Sequence, residues 1–254
     1  MRRAAAAFFI PVIPVTVAAI TFAQYGDITD LKVAKPEDKQ HVTSVPPPKG
    51  AKVLFDGTAE SLKAHWEKQD GGDAEWEIKD GAMQVKGGSI VTREKINEPV
   101  YLHLEFRTPY EPGDKGQGRG NSGVYLQGRY EVQVLDSYGI PIDKYEMGDC
   151  GCIYGVAIAR KNACKPPTVW QSYDIIFAPP KFEGDKKVAA ARMTVIHNGV
   201  KIHDNQEITT DNTTAGMGGD PKTPGPIMLQ DHGDPVQYRN VWVVPARDIK
   251  IRSE

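Results

Sequence analysis

Cysteine is scarce in this chain, with three residues among 254, all between Cys150 and Cys164. No Cys-x-x-Cys spacing joins them, so a cysteine-held metal lacks support. Charge of one sign is missing as well. Lys and Arg number 31 against 33 Asp and Glu, for a net charge of -2, which gives no case for nucleic acid or an anionic membrane surface. After residue 23 no apolar run approaches the ~20 residues a membrane span needs. Long helical patterns are few. Also absent are a nucleotide-binding loop, a βαβ rhythm, an internal repeat, and the Gly-x-Ser-x-Gly, His-Glu-x-x-His and EF-hand patterns, so serine-hydrolase and zinc-protease chemistry is unsupported.

What the chain does have is turns: 25 Gly and 19 Pro. Between them lie about a dozen short alternating stretches, the pattern of a two-sheet sandwich or jelly roll. Residues 1–23 carry Arg2 and Arg3, then an apolar run closing on small residues before Gln24. That is the pattern of a signal peptide and predicts an exported, periplasmic or extracellular protein. Residues 24–50 are polar and contain Pro46-Pro47-Pro48, reading as a linker or an arm wrapping the domain. One folded domain is expected over 51–245, with a charged tail at 246–254. Export favours oxidation. Cys150 and Cys152 stand too close to bridge within a strand, so a disulfide from one of them to Cys164 is expected.

The stretch Arg119 to Ser137, RGNSGVYLQGRYEVQVLDS, organises the rest. Ser122 to Gln127 and Tyr130 to Leu135 alternate as strands, with Gly128-Arg129 as the expected turn. Tyr130, Val132 and Val134 then share the core face, and Glu131 and Gln133 the other, with Tyr125 and Gln127 on the adjacent strand. Strict alternation would bury Asp136, at considerable cost to an unpaired carboxylate. A bulge at Leu135 would return it to the face of Glu131. Two carboxylates and an amide on an open sheet face suit sugar chemistry, although such pairs are also common as plain charged surface.

Other residues join this candidate site. Gln230 and His232 end a strand on one face, and a histidine there could exchange protons near neutral pH. Arg107, Arg119 and Arg239 could steady negative charge on a substrate oxygen. Tyr154 and Trp170 could stack on a sugar ring, whereas Trp66, Trp76 and Trp242 read as core. Val100 to Thr108 alternates cleanly, with Glu105 expected to pair with Arg107. Asn198-Gly199 is the strongest hairpin signal in the chain.

A series of motifs then carries a resemblance: LFDGT at 54–58, LHLEFR at 102–107, GRGNSGVYLQGRYEVQVLDSYG at 118–139, DCGCIYG at 149–155, WQSYDI at 170–175, HNGV at 197–200 and PGPIMLQDHGDPVQYRNVW at 224–242. Together they resemble the 3-keto-disaccharide hydrolase family. The resemblance implies an all-β concanavalin A-like jelly roll of two curved antiparallel sheets. It implies a carbohydrate substrate and cleavage of glycosides bearing a ketone at C3, without a required cofactor. A divalent metal is one possibility, with Glu131, Asp136 and His232 as ligand types that could hold it.

Glu131-x-Gln133-x-x-Asp136 is also similar to the Glu-x-Asp-x-x-Glu signature of laminarinase-type enzymes of that fold. Gln133 and the shorter Asp136 depart from it, which counts against double displacement between carboxyls about 5–5.5 Å apart. A 3-keto sugar offers C2 deprotonation, elimination and hydration instead. Glu131 or His232 would act as base and acid, Asp136 would orient, and Arg107 or Arg119 would steady the enolate. Gln133, Tyr125, Gln127, Tyr154, Trp170 and Gln230 would bind substrate. A non-catalytic glycan-binding module and an endo-β-glucanase are the alternative readings.

Overall fold

The computed structural model describes Tyr25, Ile28, 31–33 and 35–248. The signal-peptide reading at 1–23 falls outside the described residues. Fifteen strands and one short helix are described, in the order β1 Lys52–Phe55, α1 Ala59–His65, β2 Trp66–Lys68, β3 Glu77–Lys79, β4 Ala82–Gln84, β5 Ile90–Ile96, β6 Val100–Arg107, β7 Ser122–Leu126 and β8 Tyr130–Val134. There follow β9 Gln171–Ala178, β10 Lys181–Glu183, β11 Lys186–Ala189, β12 Ala191–His197, β13 Val200–Ile208, β14 Gly225–Leu229 and β15 Gln237–Pro245.

These form an eight-stranded sheet, β13-β12-β9-β6-β15-β4-β3 with β1 beside β15, and a five-stranded sheet, β2-β5-β14-β7-β8. All pairings are antiparallel. The fold is the all-β sandwich expected, consistent with a jelly roll. The β10–β11 ribbon stands apart from both sheets and was not anticipated. The segment 151–157, expected as a strand, makes only single bridges, Val132 to Ile153 and Ile153 to Ala157.

Alternating side chains build the core between the sheets. Phe106, Tyr173, Phe177 and Tyr238 from the large sheet meet Val124, Leu126, Tyr130, Val132 and Val134 from the small one. Each such side chain contributes about 1.5–3 kcal/mol on burial. Rings meet across the gap, with Tyr130 and Phe177 centroids 5.5 Å apart. Buried hydroxyls are satisfied across it too: Tyr173 donates to the Gln133 carbonyl at 2.7 Å and Tyr238 to Ser122 Oγ at 2.7 Å, so neither adds an unpaired polar group to the interior.

The outward face of the large sheet is covered rather than bare. His103, Glu105 and Arg239 project there, and chain from the 38–48 region lies over them: Ser44 bonds Glu105, and Asn240 donates to the Val45 carbonyl at 2.8 Å. Trp242 was expected in the core. It lies on this outer face instead, stacked on His103 with centroids 4.8 Å apart, because it shares the face of that histidine across the β6–β15 ladder. Glu105 pairs with Arg239 at 2.7 Å, not with Arg107, since Arg239 is its cross-strand neighbour in the ladder.

Cys150, Cys152 and Cys164 are free and buried. The expected disulfide is not formed.

Candidate active site

The β7–β8 hairpin delivers the site. Its ladder pairs Gly123 with Gln133 and Tyr125 with Glu131. Leu126 accepts from Arg129 N at 3.1 Å, with Gln127 and Gly128 at φ 54 and 65. The turn is therefore centred one residue before the expected Gly128-Arg129, and Gln127 belongs to it. Asn and Gly favour such positive φ; here a glutamine adopts it. Its amide is held at the turn, donating to the Ile96 carbonyl at 3.0 Å. Arg129 is buried and spends its guanidinium on the carbonyls of Gly218, Asp220 and Thr223 at 2.8–3.2 Å, clamping the 218–223 loop over the turn.

With Tyr130, Val132 and Val134 in the core, Glu131, Gln133 and Tyr125 face outward from the small sheet. Tyr125 packs with Val91 and Met228 in an apolar cluster separate from the main core. Gly123 makes room for this arrangement: a Cβ there would stand 2.5 Å from Glu131 Oε1 and 2.6 Å from a Tyr125 ring carbon. Glu131 was expected to line an open groove. It is instead 2% exposed, because Tyr125 and the chain at 151–154, bonded along β8, enclose it. Gly151 N and Tyr154 N donate to the carbonyls of Gln133 and Glu131 at 2.9 and 3.2 Å.

Burial pushes the Glu131 carboxyl up to about 7, opposed by a hydrogen bond from the Tyr125 hydroxyl. Tyr125 is itself raised, by burial first and then by the Glu131 charge, so it stays a proton donor. Gln230 Nε2 donates to the Tyr125 oxygen at 3.0 Å. Glu131, Tyr125 and Gln230 thus form one chain, three residues the sequence reading had placed in the site.

Asp136 belongs to a second cluster. Val134 and Leu135 both join the core, so alternation breaks beyond the last paired residue rather than at a bulge within the ladder. Arg119 Nε lies 3.1 Å from Asp136 Oδ2, although among the described residues its N–H finds no partner of hydrogen-bonding geometry. Burial raises the Asp136 pKa while Arg119 opposes. Nearby, Gly120 N donates to Glu111 at 2.9 Å and Asn121 N to Asp234 at 2.6 Å. Burial first, and then the Asp234, Asp114 and Asp136 charges, push Glu111 up to about 7 against its bond from Gly120. Sequence reading missed Glu111 and Asp234. Both lie in loops, where no alternation rule assigns a direction.

The remaining candidates are dispersed. Gln133 Nε2 donates to Gln117 Oε1 at 3.0 Å and to the Gly148 carbonyl at 3.1 Å. The half-buried Tyr154 lies beside Gly148, where a Cβ would be 3.3 Å from its ring. His232 is exposed and acts electrostatically on Asp234. Arg107 and Trp170 belong to the large sheet's outer face. Phe106 points into the core, so Arg107 points out from the large sheet. There it donates to Gln237 Oε1 at 2.7 Å, and Trp170 is stacked between it and Arg239 at 4.6 and 4.2 Å. They lie on the outer face of the large sheet, and Glu131 on the outer face of the small one. Among the described residues no group of three His, Cys, Asp or Glu is placed to hold a metal, so Glu131, Asp136 and His232 do not fit a shared ion.

A buried carboxyl near neutrality beside a tyrosine hydroxyl, on the outward face of the small sheet, is proton-transfer geometry. Residues 50–244 match the model of the 3-keto-alpha-glucoside-1,2-lyase-like domain. The chain belongs to this family. It is similar to a solved protein of Parabacteroides distasonis ATCC 8503, described as a candidate glycosyl hydrolase, at 37% identity over 82% of this chain and 95% of that one, with a TM-score of 0.67. Two further structures from that organism with the same description share the fold. One has 19% identity and TM-score 0.56, over 84% of this chain and 98% of that one. The other has 23% and 0.51, over 77% and 99%. No curated protein matches. The chain is a glycosyl hydrolase-like domain of its family.

Proposed function

We propose that this protein cleaves glycosides carrying a ketone at C3, by abstraction of the C2 proton. The observation that carries the reading is Glu131, held near pH 7 by burial and hydrogen-bonded to Tyr125. A base is most effective when its pKa lies near the working pH. Ionised Glu131 takes the proton from C2, and the C2–H electrons move toward the C3 ketone as an enolate. Once neutral, Glu131 no longer competes for the Tyr125 proton, so that hydroxyl is free to donate to the enolate oxygen, oriented by Gln230. The enolate then expels the C1 oxygen, which takes up the proton carried by Glu131 and so restores the base. Water adding across C1 and C2 completes hydrolysis, and its omission leaves a lyase product.

Family membership supports the substrate class. Arg107, named for the enolate on sequence grounds, has no place in this scheme, because it points away from the opposite sheet. Glu131 is enclosed by Tyr125 and the 151–154 chain, so the reading requires that one of them give way to substrate.

A 3-keto disaccharide and its unoxidised parent, incubated separately in deuterated water, test the reading. The keto sugar should be cleaved, the parent left intact, and released hydrolysis product labelled at C2. Cleavage of the parent at a comparable rate, or a hydrolysis product of the keto sugar without label at C2, would overturn it. Saturable glycan binding with no cleavage would favour a binding module.

A further inference from the structure

The mechanism leaves one nucleophilic cluster unused. Cys150 and Cys164 are hydrogen-bonded to each other through their thiols, and Cys150 Sγ also meets the Tyr173 hydroxyl at 3.2 Å. Cys152 is committed elsewhere: its sulfur contacts the Glu146 carbonyl at 3.3 Å and accepts from Ala159 N at 3.4 Å. Cys150 is enclosed, but Cys164 lines a cavity of about 340 Å³ with Lys35, Asp38, Tyr138, Asn162 and Lys165. Two buried thiols in contact, one of them reached from outside past two lysines, form an oxidisable pair with an entrance.

We propose that Cys150 and Cys164 are a redox-modification site, closed to an intramolecular disulfide by a low-molecular-weight disulfide admitted through this cavity. The Cys164 thiolate attacks one sulfur of the small disulfide. A mixed disulfide forms on Cys164, and the first small thiolate leaves and takes up a proton. The Cys150 thiolate then attacks the Cys164 sulfur and expels the second small thiol. The protein loses two protons and two electrons, and the small disulfide is reduced to two thiols. Cys164 is raised by its bond with Cys150 and by burial, while at Cys150 burial raises the pKa but the bonds with Cys164 and Tyr173 prevail and lower it. The entry step therefore speeds up with rising pH, and the resolving step follows quickly.

The bond would have a structural consequence beside the candidate active site. The segment carrying Cys150 bonds along β8, where Gly151 N donates to the Gln133 carbonyl and Gln133 N to the Cys152 carbonyl at 3.0 Å. Cys164 packs beneath Leu135 at the end of the same strand. Oxidation would tie the two together and restrict the unfolded chain.

The test uses the full chain, reduced and then exposed to oxidised glutathione, followed by alkylation and non-reducing peptide mapping. The expected result is one linked peptide pair, Cys150 to Cys164, with Cys152 alkylated. The melting temperature should rise by roughly 5–10 °C, reversed by dithiothreitol. Cys150→Ser should stop at a stable glutathione adduct on Cys164. Cys152→Ala should leave the linkage intact, and serves if Cys150→Ser fails to fold. A linkage through Cys152, loss of the linkage in Cys152→Ala, or three thiols still alkylated after oxidation would each overturn the proposal.

Discussion

The two outward faces of the sandwich each bury a glutamate, and they hold it in opposite states. Glu105, on β6 of the large sheet, is fully buried. Burial alone would raise its pKa, but hydrogen bonds from His103, Ser44, Asn240 and Arg239 together hold it down to about 2. Glu131, on β8 of the small sheet, is as deeply enclosed but has one hydrogen-bonding neighbour, Tyr125, and rises to about 7. His103 is raised too: burial lowers it, but its bonds to Asp174 and Glu105 prevail. A carboxylate surrounded by donors is locked and serves the fold. One left almost alone can gain and lose a proton at neutral pH, and that marks the face where chemistry is placed. Natural proteins commonly accept such instability at working sites.

The comparison is broken or sharpened by substitution. The largest effect should be Glu131→Gln on turnover of a 3-keto disaccharide, a loss of about 10²–10⁴-fold. Normal turnover by the variant would remove Glu131 from the reaction. Next comes Glu105→Ala, which removes the acceptor shared by His103, Ser44, Asn240 and the half-buried Arg239 and should cost about 1–3 kcal/mol in a denaturant melt. A loss below 1 kcal/mol would show that the large-sheet network is not structural.

The third test uses pH. The raised pKa of Glu131 means the folded state binds its proton more tightly than the unfolded chain does. Its penalty is absent below the ordinary glutamate value, grows as pH rises toward about 7, and then stays level. Glu131→Gln should thus be more stable than the parent above pH 7, by up to about 3 kcal/mol, and not below pH ~4. Glu105 has the opposite sign. Its contribution is present above the ordinary value and lost as pH falls through about 2. Equal stability of Glu131→Gln and parent at pH 8 would refute the asymmetry.

Smaller still is Gly123→Ala. The added methyl group displaces Glu131 and Tyr125 and should cost about 1–3 kcal/mol of stability as overpacking, with turnover falling alongside. Unchanged kinetics would mean the carboxyl need not sit where it does. The smallest effect is expected for Arg107→Ala, which should leave kcat/KM of the folded enzyme unchanged because the side chain projects from the wrong sheet. A clear loss would place Arg107 in the site after all.

Much of this was legible beforehand. Alternation in Tyr130 to Val134 assigned each side chain of β8 to its face, and the Asn198-Gly199 turn was where expected, at φ 51 and 79. The family motifs led to the fold. The same rule could not say which outward faces are bare. His103, Glu105 and Arg107 alternate just as Glu131 and Gln133 do, and neither face is bare: chain from far upstream lies over β6 and the 151–154 segment over β8.

By itself the sequence determined most of the strands and the identity and facing of the β7–β8 hairpin, because these depend on local periodicity and turn chemistry. Tertiary structure alone decided that Arg107 and Trp170 stand back to back with Glu131 across the core. It also brought Glu111 and Asp234 from distant loops to Asp136, and set Cys150 rather than Cys152 against Cys164. Those outcomes depend on sheet stacking and loop closure, which join residues by distance in space, and no periodicity in the chain encodes that distance.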